Sequence, residues 1–465
     1  MCSSQNIVAV SKGFIREFSL TCDKDLIGRR YADFTFPSLS FYEENHEELS
    51  RQNELVITNK RRHIFFEVFD ERKFSRLYIV HRYPIITDGL VCGIYVYMRP
   101  FALQRYSDIV FCIFGKTDYC IKPLRSDFNL TSKQLLVLFL YLRNYSYTEI
   151  SSWLNAFGIQ MSAGRVNEHL DNLKIAFDVK DRKALRQKTI DVGFPSVMPA
   201  GFLKQGSFLI DDYLIHLKGF TNYPLQSHVV AEAYLSGRYN RLTTCKLMFS
   251  DELGLYIKLF QNYYEHTDEA AYLAFDDGSV LVKTEAYIDI EPYYKQVGMG
   301  EPFRKKLDYS FIDVLDVDGE HRIYLRNMRQ IGAVSGQNII LVNCRLFYTP
   351  NLPQMMTDIF KIFSFPSIKL KSDYRITERQ HMVLFFYARN YSAAEVALIM
   401  TDLGYKMSVA TVNEHLVKIK LQLGVSTREQ LLDAALVIAY DLIPGSLLRT
   451  GTYSTANTIL ESWVV

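Results

Sequence analysis

Tryptophan is almost missing from this chain: Trp153 and Trp463 are the only two in 465 residues. Cysteine is sparse and unpatterned. Cys2, Cys22, Cys92, Cys112, Cys120, Cys245 and Cys344 are odd in number and include no C-x-x-C pair, which argues against a disulfide framework and against a zinc site. Long apolar runs are missing too. The longest, residues 135–142, falls far short of the ~20 residues that span a bilayer, so no membrane partner is expected. The start, MCSSQNIVAV, has no basic segment leading into an apolar one. No secretory signal is read, and a reducing cytoplasm is the expected setting. Neither charge is in excess. The formal net charge of +2 provides no global field to draw a polyanion, so such binding needs a local patch. No glycine-rich phosphate loop and no nucleophile elbow occur, and Asp276-Asp277-Gly278 reads as a turn rather than an acid pair. An enzyme is the least expected class, and no metal or cofactor is expected.

What is there is a repeat. The pentad Val166-Asn167-Glu168-His169-Leu170 recurs unaltered, 246 residues later, as Val412-Asn413-Glu414-His415-Leu416. At that shift residues 126–185 overlay 372–431 without a gap, and Thr131, Gln134, Phe139, Tyr141, Ser146, Glu149, Gly158, Met161 and Arg182 all meet identical residues. Upstream the match is weaker: Phe65, Val68, Asp70, Tyr78 and Arg99 meet Phe311, Val314, Asp316, Tyr324 and Arg345. A repeat of half the chain sets the domain plan. It predicts a two-domain unit used twice, sensor–effector–sensor–effector.

Within the first unit, residues 7–10 read as a strand, 14–18 as a helical turn and 43–55 as a polar helix. Strand-like runs follow at 63–69, 76–86 and 90–99, the last two joined by the hairpin signal Thr87-Asp88-Gly89. Helices on an antiparallel sheet fit this order. The effector reads as four helices. In the second copy Thr377, Ser392, Ser408 and Thr427 are N-caps, Glu395 completes a capping box, and Gly404 and Gly424 are stops. Val412, Leu416, Ile419 and Leu423 form one buried stripe at spacings of four, three and four. Residues 135–142 are apolar all round. A small helical domain cannot bury every face of such a helix, so contact with a neighbouring domain is expected.

Residues 1–105, with Leu26-Ile27-Gly28 before Asp33, Tyr83-Pro84-Ile85, Asp88-Gly89 and Val91-Cys92-Gly93-Ile94, resemble a PAS domain. The helical module resembles the LuxR-type (GerE-like) helix-turn-helix domain of bacterial transcription regulators. The match runs through Ile376-Thr377-Glu378-Arg379-Gln380, Tyr391-Ser392-Ala393-Ala394-Glu395-Val396-Ala397, Ser408, Thr411-Val412, His415, Ile419, Leu423-Gly424-Val425 and Arg428. The resemblance implies an α+β chain in which two PAS-like antiparallel-sheet domains alternate with two all-α LuxR-type helix-turn-helix domains. The expected bounds are a sensor at 1–105, a linker at 106–125, a module at 126–200, a second, degenerate sensor with an insertion at 201–349, a linker at 350–370, a module at 371–445 and a tail at 446–465.

The resemblance also implies a sequence-specific transcription regulator that binds double-stranded DNA through the third helix of each module. The contacting residues would be Arg165, Asn167, Asn172 and Lys174 in one copy and Thr411, Asn413, Lys418 and Gln422 in the other. Asn and Gln suit adenine edges, and Lys and Arg suit guanine or phosphate. Two modules in one chain predict a bipartite site, bound by a monomeric pseudo-dimer or a homodimer. A small-molecule ligand in the PAS-like domains is a further expected partner. Residues 371–442 carry eight cationic and eight acidic side chains, and 125–192 carry ten and seven. That balance keeps an alternative open: a regulator that does not bind DNA and instead pairs with and sequesters another LuxR-type protein. The histidine of the pentad reads as a packed residue rather than a ligand, because no second His or Cys lies at metal spacing. Both copies also carry about five extra residues between the second and third helices, at 155–159 and 401–405, expected to lengthen the second helix by a turn.

Overall fold

Alternating apolar residues after residue 62 make three long strands, β1 (His63–Glu71), β2 (Phe74–Thr87) and β3 (Leu90–Pro100). In the computed structural model they pair antiparallel, with Phe66 opposite Ile79 and His81 opposite Tyr97. The structure describes residues 6–210, 270–297, 308–347, 375–437 and, of the last segment, 444, 447, 448 and 451–454, apart from short gaps, together with isolated positions from 225 to 261 and at 359. The molecule is mixed α and β, with two antiparallel sheets and many helices. Among the described residues no helix is long and apolar enough to cross a membrane.

Because side chains alternate along a strand, the first sheet presents two apolar faces. Phe65, Phe69, Tyr78 and Val80 pack under the N-terminal segment, which holds α1 (Lys12–Glu17), α2 (Ser40–Glu44) and α3 (His46–Asn59). Ile64, Phe66, Val68, Leu77 and Ile79 pack against the first helical module. The expected strand at 7–10 does not form. Ile7 instead exchanges single hydrogen bonds with Arg29 and Gly28, and the chain turns away at Gly28, where φ is +87°. The expected linker at 106–125 carries helix as well as turns. It contains α4 (Arg105–Ile113), whose Ile109, Val110 and Phe111 are fully buried.

The first module comprises α5 (Ser132–Leu142), α6 (Tyr147–Ala156), α7 (Ala163–Ala176) and α8 (Arg182–Asp191). The all-apolar helix α5 is buried between its own module and the sheet. After α8 the chain returns to that sheet. Met198 and Pro199 pair with Ser75 and Phe74 at the start of β2, and β4 (Gly206–Leu209) lies antiparallel along β1, with Gly206 opposite Val68. Residues 198–209 thus belong to the first sheet, which Leu225 and Gln226 also join, parallel to Ile85 and Ile86. Those beyond 200 fall within the bounds expected for the second sensor, and the short strand lacks a periodicity that would name its partner.

The second sheet contains β5 (Ala270–Phe275), β6 (Val280–Lys283), β7 (Asp308–Val317), β8 (Glu320–Val334), β9 (Gln337–Leu346) and β10 (Gly451–Ser454), in the order β10-β7-β8-β9-β5-β6. One face covers α9 (Glu285–Val297) through Leu315, Val317, Tyr324 and Met328. On the other, Ile312, Val314, Ile323 and Leu325 meet the second module, α10 (Glu378–Ala388), α11 (Ala393–Asp402), α12 (Val409–Leu423) and α13 (Arg428–Val437). Gly451 lies opposite Val314, the register that Gly206 takes opposite Val68. The expected tail thus contains a sheet strand. The expected hairpin turn at Asp88-Gly89, most of the insertion in the second sensor and all of the second linker but Ile359 lie outside the described residues.

Linker segments cross between the halves. Ile109, Val110, Phe111, Cys112 and Ile113 of α4 join the core of the second module, where Phe111 stacks on Phe386 at 5.8 Å. The hydroxyl of Tyr119 donates to Asp402. In the other direction, half-buried Ile359 packs against the core of the first module. The sheets approach one another where the Arg345 guanidinium sits 5.5 Å from the centre of the Tyr97 ring.

Candidate nucleic-acid interface

Each third helix begins on a fixed cap. Ser162 accepts from Arg165 N, and Ser408 accepts from Thr411 N. The connection ahead of it is clamped. Asn155 Oδ1 accepts from Met161 N at 2.9 Å, and its Nδ2 donates to Met161 O at 3.0 Å. In the other module Thr401 Oγ1 accepts from Met407 N at 3.3 Å and donates to Ala397 O at 2.8 Å, with Met407 O a longer alternative at 3.2 Å. The first two extra residues of each copy, Asn155 and Ala156 and Thr401 and Asp402, end the second helix, and the others form this turn, stopped by Gly158 and Gly404 at φ +77° and +92°. Inward, Val412, Leu416, Ile419 and Leu423 are buried, as are Val166, Leu170 and Leu173.

The expected contact residues divide into open and occupied ones. Arg165, Asn172, Asn413 and Lys418 are exposed. Arg165 pairs with Glu168 at 3.6 Å, and Lys418 Nζ lies 2.6 Å from Glu414. Exposed pairs of this kind are weak and easily exchanged for other partners. The hydrogen bond from Lys418 holds the Glu414 carboxyl below its ordinary pKa. Asn167 is exposed but engaged: its Nδ2 donates to Asp171, and its Oδ1 accepts from Arg182 at 2.9 Å. Half-buried Lys174 pairs with the same Asp171 at 2.9 Å. Thr411 and Gln422 are half-buried flanking residues, Thr411 with its hydroxyl 2.9 Å from that of Ser408.

At 100° per residue, the positions opposite the buried stripe of α12 are Ala410, Glu414, Val417, Lys418 and Leu421, all exposed. Val417 is 56% exposed and Leu421 66%. The matching positions of α7 are Gly164, Glu168, Asp171, Asn172 and Ile175, the last 79% exposed. Reading the sequence by residue type missed Val417, Leu421 and Ile175; helical phase alone locates them. One outward face is thus partly apolar and the other partly acidic. His169 and His415 sit half-buried beside these faces, and burial holds both below the ordinary histidine pKa. Among the described residues no cluster of His, Cys, Asp and Glu could hold a metal.

The modules approach one another through α8. Burial lowers the pKa of Arg186, and Glu395 of the second module is the foremost charge opposing that effect.

Each sheet also buries a charged pair on the face away from its module. Arg82 Nη2 donates to Glu67 at 3.1 Å with both side chains 1% exposed, and Arg82 Nη1 donates to Asn53 at 2.8 Å. Among the described residues, Glu67 Oε2 and Arg82 Nε have no hydrogen-bond partner. Burial raises the Glu67 pKa against the opposing effect of Arg82. In the second sheet Arg326 grips Asp313 through Nε at 2.7 Å and Nη2 at 3.2 Å, and Tyr294 donates to the same carboxylate at 3.0 Å.

No family model matches the chain, and no curated protein does. Among solved structures, the Vibrio cholera VqmA–ligand–DNA complex aligns over 45% of this chain and 87% of its own, with 20% identity and a TM-score of 0.32. A phage VqmA–DPO complex aligns over 44% and 97%, with 13% identity and a TM-score of 0.32. VqmA bound to DPO aligns over 45% and 89%, with 20% identity and a TM-score of 0.22. These superpositions are loose and span less than half of the chain.

Proposed function

We propose that the chain is a DNA-binding transcription regulator in which two PAS-like sensors and two LuxR-type modules form an intramolecular pseudo-dimer. The observation that carries this reading is the reciprocal crossing: Phe111 of the first linker packs on the second module, and Ile359 of the second linker packs on the first. Such an exchange is what a symmetric dimer of two-domain subunits makes between its partners, and here one chain makes it alone. The order β6-β5-β9-β8-β7 supports a PAS-like second sensor. A small-molecule ligand of the sensors belongs to this reading.

Selection of random-sequence DNA on the purified chain across a salt series tests it. The expected product is a bipartite motif whose half-sites differ, because Arg165 and Asn172 of one helix stand where Thr411 and Lys418 stand in the other. The expected solution mass is that of one chain. Absence of any enriched motif at low salt, where phosphate contacts are strongest, would sink the proposal.

The outward face of α12 supports a second reading, a regulator that pairs with another LuxR-type protein. Val417 and Leu421 expose apolar surface where a phosphate-tracking helix would carry positive charge. Retention of such a partner, together with no retention on DNA, would decide for it.

A further inference from the structure

The segments that follow the two modules are built alike. Pro199, Phe202, Leu203 and Gly206 correspond to Pro444, Leu447, Leu448 and Gly451. Phe202 N donates to Pro199 O, and Leu447 N to Pro444 O. The two leading apolar residues enter the core of the preceding module in each case, and each strand then pairs with the outer edge of the sheet at the same register. A chance edge pairing of a loop would not recur with its anchors in both halves.

In the first half the side chains show what the strand touches. Ala200 N donates to Lys73 O at 2.9 Å, Gly201 N donates to Asp70 at 3.1 Å, and Gln52 Nε2 donates to Ser207 O at 3.0 Å. The Ser207 hydroxyl lies 3.0 Å from Gln52 Oε1 and 3.1 Å from Glu67 Oε1. It is 4% exposed, and its single proton serves one acceptor at a time. Glu67 is the partner of Arg82, so the strand is hydrogen-bonded to the buried charged pair. At its other end, Phe202 packs on Phe139 of α5 with ring centres 4.7 Å apart.

We propose that Gly206–Leu209 is a strap linking the buried Glu67–Arg82 pair to the seating of α5 and α8, so that rearrangement of the sensor interior is relayed to the helix-turn-helix module; Gly451–Ser454 takes the same register at the edge of the second sheet. The inference rests on the reading of the two domains as sensor and effector. Ser207 is a positioning residue here, acting through the strand it belongs to.

Hydrogen exchange on the full chain tests the strap without DNA or ligand. In Ser207→Val, the amides of 206–209 and those of α8 are expected to lose protection together, while β2, β3 and α10 to α13 keep theirs. Ser207→Thr, with the residue type found at position 452, is expected to restore the pattern. Glu67→Gln perturbs the pair from the other side and is expected to move the same two segments. If Ser207→Val does not fold, Glu67→Gln decides alone. Loss confined to 206–209, or uniform loss across the chain, overturns the strap. Failure to bind DNA would overturn the proposed function and leave this exchange result standing.

Discussion

Phe111 and Phe386 belong to different halves of the chain, yet their rings stack at 5.8 Å with planes 19° apart. Tyr391 closes on Phe111 edge-on at 6.3 Å. A linker residue is therefore a core residue of a module it does not precede. Phe111→Ala is expected to cost about 3–5 kcal/mol, the usual price of emptying a buried phenylalanine site. Urea denaturation measures the loss. Protease cleavage should appear first in α10 to α12 and spare α5 to α7; an unchanged midpoint and cleavage pattern would show that α4 is not held there.

The clamp ahead of each third helix gives a second expectation. Asn155→Ala removes the partner of Met161 N, while Met161 O keeps the Ser151 hydroxyl at 2.7 Å, and a buried backbone group left without a partner costs about 1–3 kcal/mol. Asn155→Thr should recover part of this, since Thr401 fills the same place in the other module. Paired denaturation curves test both values, and equal stability of Asn155→Ala and the parent would refute the clamp.

The buried pair Arg326–Asp313 should behave asymmetrically. Arg326→Met strands a carboxylate that is 0% exposed, at a cost of about 3–5 kcal/mol. Replacing both partners, with Asp313→Leu added, should recover most of that, because an apolar pair needs no desolvated charge. Thermal melts of the single and double variants read the difference directly.

His81 sets a pH dependence. Burial, reinforced by Arg62, Arg99 and Arg345, holds it well below the ordinary histidine pKa, and its ring stacks on Tyr83 at 6.0 Å. The folded chain therefore keeps His81 neutral while the unfolded chain takes up a proton near pH 6.5. Its stabilising contribution is complete above that pH and is lost as pH falls toward the folded value, by up to about 1.4 kcal/mol per unit. Melts between pH 8 and 5 should show a steeper acid decline in the parent than in His81→Gln.

Glu414→Gln distinguishes the two functional readings. It frees Lys418 from its 2.6 Å partner and removes a charge that phosphate repels. If α12 meets DNA, affinity rises and the salt dependence steepens by roughly one unit of log–log slope. If α12 meets a protein through Val417 and Leu421, DNA retention stays unchanged.

The four helices of each module were legible residue by residue. Ser392 and Glu395 close the capping box their spacing requires, and the stripe Val412, Leu416, Ile419, Leu423 is buried as its spacing requires. Caps, glycine stops and amphipathic stripes act within a few residues, so local pattern suffices to place them. The strands β1, β2 and β3 were legible for the same reason, through their alternation. The candidate interface was only half legible. Residue type chose Lys174 and Gln422, which lie on the flank, and passed over Val417 and Leu421, which face outward.

Tertiary structure decided everything that depends on a distant partner. Residues 206–209 carry too few side chains to declare a sheet, and only the open edge of β1 assigns them. The apolar face of α4 reads as buried, but the module that buries it is chosen by the path of the chain around both halves. Asn167 is an open polar residue on a helical wheel, and it becomes an occupied one because Arg182 of the next helix reaches back to it at 2.9 Å. Helices and strands follow from interactions between near neighbours, whereas edges, interfaces and free faces follow from which surfaces remain once those elements have packed.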